Sequence, residues 1–206
     1  MTSPNESPPV VGVLLAAGAG SRLGRGPKAL LRKPNGQSLL GSALAALRGG
    51  GCARVVVVLG AGATRAKEQV NEPGATVLVN EHWATGMGSS LALGMGVVPD
   101  GTAALVALVD QPGMSAALVR RIASEHRAGR ITAAGYRRDD ASLRRGHPVL
   151  FAPEHIRAAA AAASGDFGAR DYLAANRELV DLVDCSDLDT GLDLDTVADL
   201  EALGWK

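Results

Sequence analysis

The stretch VVGVLLAAGAGSRLGRGPK, residues 10–28, decides the fold. Residues 10–17 form an unbroken apolar run, followed by Gly18, Gly20, Gly24 and Gly26 with Arg22 and Lys28 among them. A continuous apolar run of this length reads as a strand buried on both faces, as in a parallel sheet. The glycines read as a loop whose bare backbone approaches a ligand closely. Consecutive backbone N–H groups, a guanidinium and an ammonium together make a cradle for phosphates. A glycine-rich turn with two solvated cations is the plainer alternative.

Two familiar patterns fail on this loop. Gly18-Ala-Gly20-Ser-Arg-Leu-Gly24 grazes a dinucleotide fingerprint, which needs an acid near the end of the second strand to hold a ribose. The second apolar run, residues 55–59, leads instead into Gly60-Ala-Gly62. A P-loop needs Gly-Lys-Ser/Thr at its close, and none is present. The text Leu15-Ala16-Ala17-Gly18-Ala19-Gly20-Ser21-Arg22-Leu23-Gly24, continued by Lys28, resembles the signature of the MobA-like nucleotidyltransferases. That resemblance implies a Rossmann-like three-layer α/β/α fold of the nucleotide-diphospho-sugar-transferase type. It also implies nucleotide contacts from Leu15, Ala16, Ala17, Gly18, Gly20, Arg22 and Lys28.

Composition sets the remaining bounds. A chain of 206 residues suffices for one α/β domain with a sizeable core, and residues 10–206 are expected to form it. Aromatic residues make up only 3%, so the core must be aliphatic and alanine-rich. Lys+Arg and Asp+Glu both number 21, leaving no global field to draw the protein onto nucleic acid or an anionic membrane. Cys52 and Cys185 stand apart, without metal-ligand spacing, which suits reduced thiols in the cytoplasm. The apolar runs are about half as long as a membrane span. Residues 1–9, MTSPNESPP, lack the basic-then-apolar order of a signal peptide and read as a disordered polar tail.

Helical spacing over residues 38–47, a strand at 55–59, a short helix at 64–70 and a strand at 75–79 alternate β with α. Such alternation argues for a mostly parallel sheet with helices on both faces. The segment 80–91, NEHWATGMGSSL, leaves a strand, turns through Gly86 and Gly88, and is expected to enter a helix capped by Ser89 or Ser90. Asn80, Trp83, Gly86, Ser90 and Leu91 resemble the corresponding segment of molybdenum cofactor cytidylyltransferases. The resemblance implies that Asn80, Ser89 and Ser90 hold base and ribose; a cap beside a packing tryptophan explains the same residues without a ligand. Residues 102–109 read as a strand that delivers Asp110-Gln111-Pro112 to the rim where open α/β sheets bind ligands. A carboxylate there must be paired or hold a metal, and magnesium prefers one or two carboxylates with substrate phosphates. Asp110 is therefore the first candidate ligand.

A helix over 115–125 and a strand over 131–136 precede an expected exposed charged loop, 137–145. Gly146-His147-Pro148-Val149-Leu150-Phe151 then enters another strand. The resemblance makes Gly146, His147 and Pro148 acceptor-site candidates, and adds Asp166 and Arg170 from Gly165-Asp166-Phe167-Gly168-Ala169-Arg170. A helix begins at Pro153, and its polyalanine needs no function. A last strand, 179–183, leads to the acidic segment 184–195 and a helix over 196–203. Asp193-Leu194-Asp195-Thr196, with Asp199, resembles the family's second acidic motif, implying Asp195, then Asp193, as the further metal ligands. Solvated caps of the final helix are the alternative.

The chain offers no Ser-His-Asp or Cys-His set. A phosphate acceptor is already anionic, so catalysis asks chiefly for charge neutralisation and in-line positioning. Arg22, Lys28 and Asp110 are the expected catalytic residues, with Mg2+ as cofactor and CTP as nucleotide. By the resemblance, Ala16-Ala17 is similar to the cytidine-using members and so implies CTP over GTP, although Leu-Gly-Arg-Gly-Pro between Arg22 and Lys28 is one residue longer than in many cytidylyltransferases. Molybdopterin is the acceptor implied, with a molybdoenzyme as receiver of the product, and neither nucleic acid nor membrane as partner. GTP-dependent transfer, another phosphorylated acceptor, and a non-catalytic cofactor carrier are the alternatives. An oxidoreductase using a nicotinamide nucleotide ranks behind them, for want of the ribose acid.

Overall fold

The computed structural model describes residues 8–70 and 72–205. In chain order the elements are β1 (Val10–Ala16), α1 (Leu39–Gly49), β2 (Arg54–Leu59), α2 (Ala63–Lys67), β3 (Ala75–Val79), α3 (Met87–Met95) and β4 (Ala103–Leu108). There follow α4 (Ala116–Ser124), β5 (Ile131–Arg137), β6 (Leu143–Phe151), α5 (Pro153–Ala162), α6 (Arg170–Ala175), β7 (Val180–Asp184) and α7 (Val197–Ala202).

Among the described residues, seven strands form one sheet in the order β3-β2-β1-β4-β6-β5-β7. The pairs β1/β2, β1/β4, β2/β3 and β5/β7 are parallel, while β6 runs antiparallel to both β4 and β5. The expected α/β class and mostly parallel sheet are present. β1, and β2 beyond its exposed first residue Arg54, are apolar because both faces are covered, one by α1 and α4, the other by α3, α5 and α6. The reversal of β6 has a functional consequence. Its register pairs Val149 with Val106, so the residues just before Val149 climb towards the end of β4 that releases Asp110.

Four expectations need correction. The segment 137–145 is largely a hairpin, with β6 beginning at Leu143, so Arg144 and Arg145 are half-buried strand residues and not an exposed loop. Cross-strand pairing of Leu143 with Arg137 overrides the charge of the stretch. The helix α3 starts at Met87 behind Gly86, so neither Ser89 nor Ser90 is its cap. Gly86 makes that entry with φ +112, where an added Cβ would collide with the backbone of Gly165. The helix expected over 64–70 is confined to α2, since Gly62 enters it at φ +68. Finally, Pro9 is anchored, accepting a 2.9 Å bond from Ala103 N; the rest of the expected tail, residues 1–7, lies outside the described residues. Ser115 caps α4 by accepting from Leu118 N at 3.2 Å. Both cysteines are free and buried. No described helix is long and apolar enough to cross a membrane.

Candidate active site

The glycine loop leaves β1 at the end of the sheet where β4 also stops, and the two frame one cavity. Leu15, Ala17, Gly18, Gly20, Arg22 and Lys28 line it from the loop side, facing Asp110, Asp193 and Asp195. The loop turns tightly at Gly20, whose φ of +65 and close approach to the Gly26 carbonyl leave no room for a Cβ. Ala16 is buried beneath the loop.

Lys28 Nζ donates to Asp110 Oδ2 at 2.8 Å and to Asp195 Oδ1 at 2.6 Å. Arg22 reaches Asp195 Oδ2 at 3.4 Å from a side chain that is 78% exposed. Burial opposes the charge on Lys28, yet Asp110 and Asp195 outweigh it and hold its pKa above the ordinary lysine value. The acidic segment arrives here because Leu194 N donates to Asp110 O at 2.9 Å, pinning it across the end of β4. Asp193 lines the same cavity and accepts from Gln111 Nε2 at 3.0 Å. The described residues contain no group of three or more His, Cys, Asp or Glu in metal-ligand geometry. Lys28 stands between Asp110 and Asp195, while Gln111 holds Asp193 beside them.

Asn80 is buried, and its amide is spent within the protein. Its Nδ2 donates to Ser89 Oγ and Ser90 Oγ, each at 2.9 Å, while Oδ1 accepts from His82 N at 2.9 Å. Ser90 lines the cavity, whereas Asn80 and Ser89 stand behind it. Trp83 and Met87 complete that wall, and Trp83 packs on Gly60, where any Cβ would strike its ring.

A second cavity of about 290 Å³ adjoins the first, sharing Leu15, Met87, Leu108, Arg170 and Asp193 with it. Gly146 and His147 line the second cavity, Asp166 the first, and Arg170 both; Pro148 is buried and lines neither. Burial brings the His147 pKa down to about 4; Asp110 opposes the shift and Arg145 reinforces it, so the imidazole is neutral at pH 7. Tyr136 fixes this corner. Its hydroxyl donates to His147 O at 2.7 Å, and its ring lies where a Cβ on Gly146 or Gly191 would collide. Arg144 Nη2 donates to Gly191 O at 2.9 Å, tying β6 to the acidic segment. Reading residues 137–145 as a loop hid Arg144 and Arg145, and no alternation in residues 143–149 marks them as strand.

A family model described as the MobA-like NTP transferase domain matches residues 12–180. Over 200 residues the chain is 48% identical to the nicotine blue oxidoreductase of Paenarthrobacter nicotinovorans, covering 96% of this chain and 98% of that one. A solved homologue, from Mycobacterium sp. strain JC1, of Mycobacterium tuberculosis Rv0371c is 32% identical, with TM-score 0.78 over 94% of each chain. Rv0371c itself, solved in complex with manganese, is 26% identical, with TM-score 0.72 over 96% of this chain and 98% of that one. The family match spans the glycine loop, the strand that delivers Asp110 and the strand that carries His147. The chain belongs to the MobA-like NTP transferase family, a family of nucleotidyltransferases.

Proposed function

We propose that this protein transfers a CMP unit from CTP to a phosphorylated small molecule, releasing pyrophosphate, with molybdopterin as the acceptor. One observation carries the reading: Lys28 draws Asp110 and Asp195 together at the mouth of the glycine loop. The residues fit a divalent cation. Two hard carboxylates meet at one point, and Asp110 Oδ1 is buried without a hydrogen-bond partner, an acceptor that a cation would satisfy. Asp110 and Asp195 would hold Mg2+, and the manganese complex of Rv0371c supports an ion of this kind. Bound there, it would supply charge neutralisation at the α-phosphate.

The loop amides between Gly18 and Gly20 and the Arg22 guanidinium would take the nucleotide phosphates. Lys28, kept charged by its neighbours, stabilises the departing pyrophosphate. Ser90, held by Asn80, faces the ribose, and Ala16-Ala17 set the loop's path under the base. The acceptor lies in the second cavity against Gly146, neutral His147 and Arg170, with Asp166 across the junction in the first. An acceptor phosphate oxygen forms a bond to the α-phosphorus as the bond to the bridging oxygen breaks, and pyrophosphate leaves with the electron pair. The attacking oxygen is already anionic at pH 7, so no general base is needed. A molybdoenzyme would then receive the product.

Pyrophosphate release, measured for each of the four nucleoside triphosphates with and without molybdopterin, tests this. Release with CTP that requires molybdopterin is the expected result. Preference for GTP would reassign the base, and no release with any combination overturns the proposal.

A second reading is favoured by the 48% identity to a protein named nicotine blue oxidoreductase. In it the glycine loop takes the pyrophosphate of a nicotinamide dinucleotide, and the second cavity takes a conjugated ring compound to be reduced. Against it, β2 runs into Gly60 without an acid for the ribose. Loss of NADH or NADPH absorbance on adding nicotine blue, in protein inert with CTP, would decide for it.

A further inference from the structure

The turn that carries Asp110 is met at each of residues 110–113 by a distant segment. Asp110 O accepts from Leu194 N at 2.9 Å, and Gln111 Nε2 donates to Asp193 Oδ1 at 3.0 Å. Pro112 O accepts from Lys33 Nζ at 2.8 Å, across 79 positions. Gly113 lies against Asp189, whose carboxylate would collide with a Cβ placed there. Leu194, Asp193 and Asp189 all belong to the acidic segment, and Lys33 alone comes from the other side. The turn's own backbone bond, Met114 N to Gln111 O, is long at 3.2 Å, and Pro112 has no N–H to add another. Its shape is therefore set from outside.

Lys33 sits in a tight hairpin, where Lys33 N donates to Gln37 O and Gly36 N to Lys33 O, each at 2.8 Å. That hairpin follows directly on the short 3-10 turn Lys28–Leu30, so one segment presents Lys28 to Asp110 and Lys33 to Pro112. Burial works against the charge of the half-buried Lys33 ammonium, and Asp189 supports it. A charged donor makes the stronger kind of hydrogen bond. Neither cavity described above is lined by Lys33. Resting on the transfer reading given above, we infer that Lys33 is a positioning residue: by holding the Pro112 carbonyl it fixes the turn that aims the Asp110 carboxylate at the mouth of the glycine loop. Without it, beyond the Lys28 bond to the carboxylate itself, the acidic segment alone holds the turn.

The test is Lys33→Met in the full chain, followed by three readouts. Hydrogen exchange of the Leu194 amide, which donates to Asp110 O, should speed up by about tenfold or more while the amides of β1 keep their wild-type protection. The Kd for Mn2+, read by electron paramagnetic resonance, should rise about fivefold or more. In transfer, kcat should fall about tenfold with KM for CTP within about twofold of wild type. Lys33→Arg, which keeps a charged donor for the same carbonyl, should restore most of all three. Arg157→Met, which breaks the pair with Asp100 before the start of β4, should change none of them. Should Lys33→Met fail to fold, Lys33→Ala carries the same expectation. Wild-type exchange at Leu194 in the variant overturns the inference, and so does faster exchange with Mn2+ affinity and kcat unchanged, the mark of a merely structural bond. Faster exchange and weakened Mn2+ binding in the variant, with no transfer of CMP even by wild type, sinks the transfer reading alone.

Discussion

Lys28 and Asp195, 167 positions apart, meet at 2.6 Å at the mouth of the glycine loop, and the same ammonium holds Asp110 at 2.8 Å. The first βα turn, the end of β4 and the acidic C-terminal segment are thereby joined through one nitrogen. The Lys28 and Asp110 side chains are only 12% and 21% exposed, so the bridge is poorly screened by water. Lys28→Met leaves two carboxylates facing one another and should lower stability by about 2 kcal/mol, read as a fall in urea midpoint. Asp110→Asn keeps the shape and should remain folded while transfer falls by about 100-fold or more. Chelation of divalent ions should abolish transfer in wild type, with activity restored by added Mg2+.

Gly20→Ala should damage nucleotide binding before stability. The left-handed φ costs an alanine about 1 kcal/mol, and the Cβ would push the Gly26 carbonyl aside. CTP affinity should drop about tenfold or more while the thermal midpoint moves by a few degrees. A variant that binds CTP like wild type would show that the loop does not cradle the phosphates.

Tyr136→Phe removes the hydroxyl that donates to His147 O at 2.7 Å. The expected cost is about 1 kcal/mol in stability. In kinetics, KM for the acceptor should rise with KM for CTP unchanged, because the corner lies in the second cavity. Gly191→Ala should be harsher, since its Cβ meets the Tyr136 ring and its φ is +65.

The glycine loop and Asp110 were legible because each follows an uninterrupted apolar run, and a buried strand in a parallel sheet has nowhere to release its chain except the ligand-binding rim. Arg144 and Arg145 were not legible: a run of charge resembles a solvated loop, and only the long-range pairing of Leu143 with Arg137 shows it to be strand. Ser89 and Ser90 misled for a related reason. Both are good caps by type, yet Gly86 against Gly165 sets the helix entry, a tertiary contact that local propensity does not report. The bond that holds Asp193 likewise comes from Gln111, 82 positions away, a contact no local pattern reports.

At the other end of the sheet, Asp181 accepts from Arg130 Nε at 2.6 Å and Arg127 Nε at 3.1 Å. The Arg130 hydrogen bond, against the opposing effect of burial and with help from Arg127, holds the Asp181 pKa at about 2, below the ordinary 3.8. A depressed folded-state pKa stabilises the fold at pH above the unfolded value, and that contribution is lost as pH falls from about 4 to about 2. Asp181→Asn should cost about 2 kcal/mol at pH 7 and almost nothing at pH 2, so wild-type and variant denaturation curves should converge in acid.

The most direct measurement follows the α-phosphorus of CTP itself. With α-labelled CTP, Mg2+ and molybdopterin, wild type should move the label into the acceptor in step with pyrophosphate release. Asp110→Asn and Asp195→Asn, shown folded by circular dichroism, should not. Label transfer at the wild-type rate in both variants would contradict the account, because the chemistry would then lie away from the point where Lys28 joins the two acids.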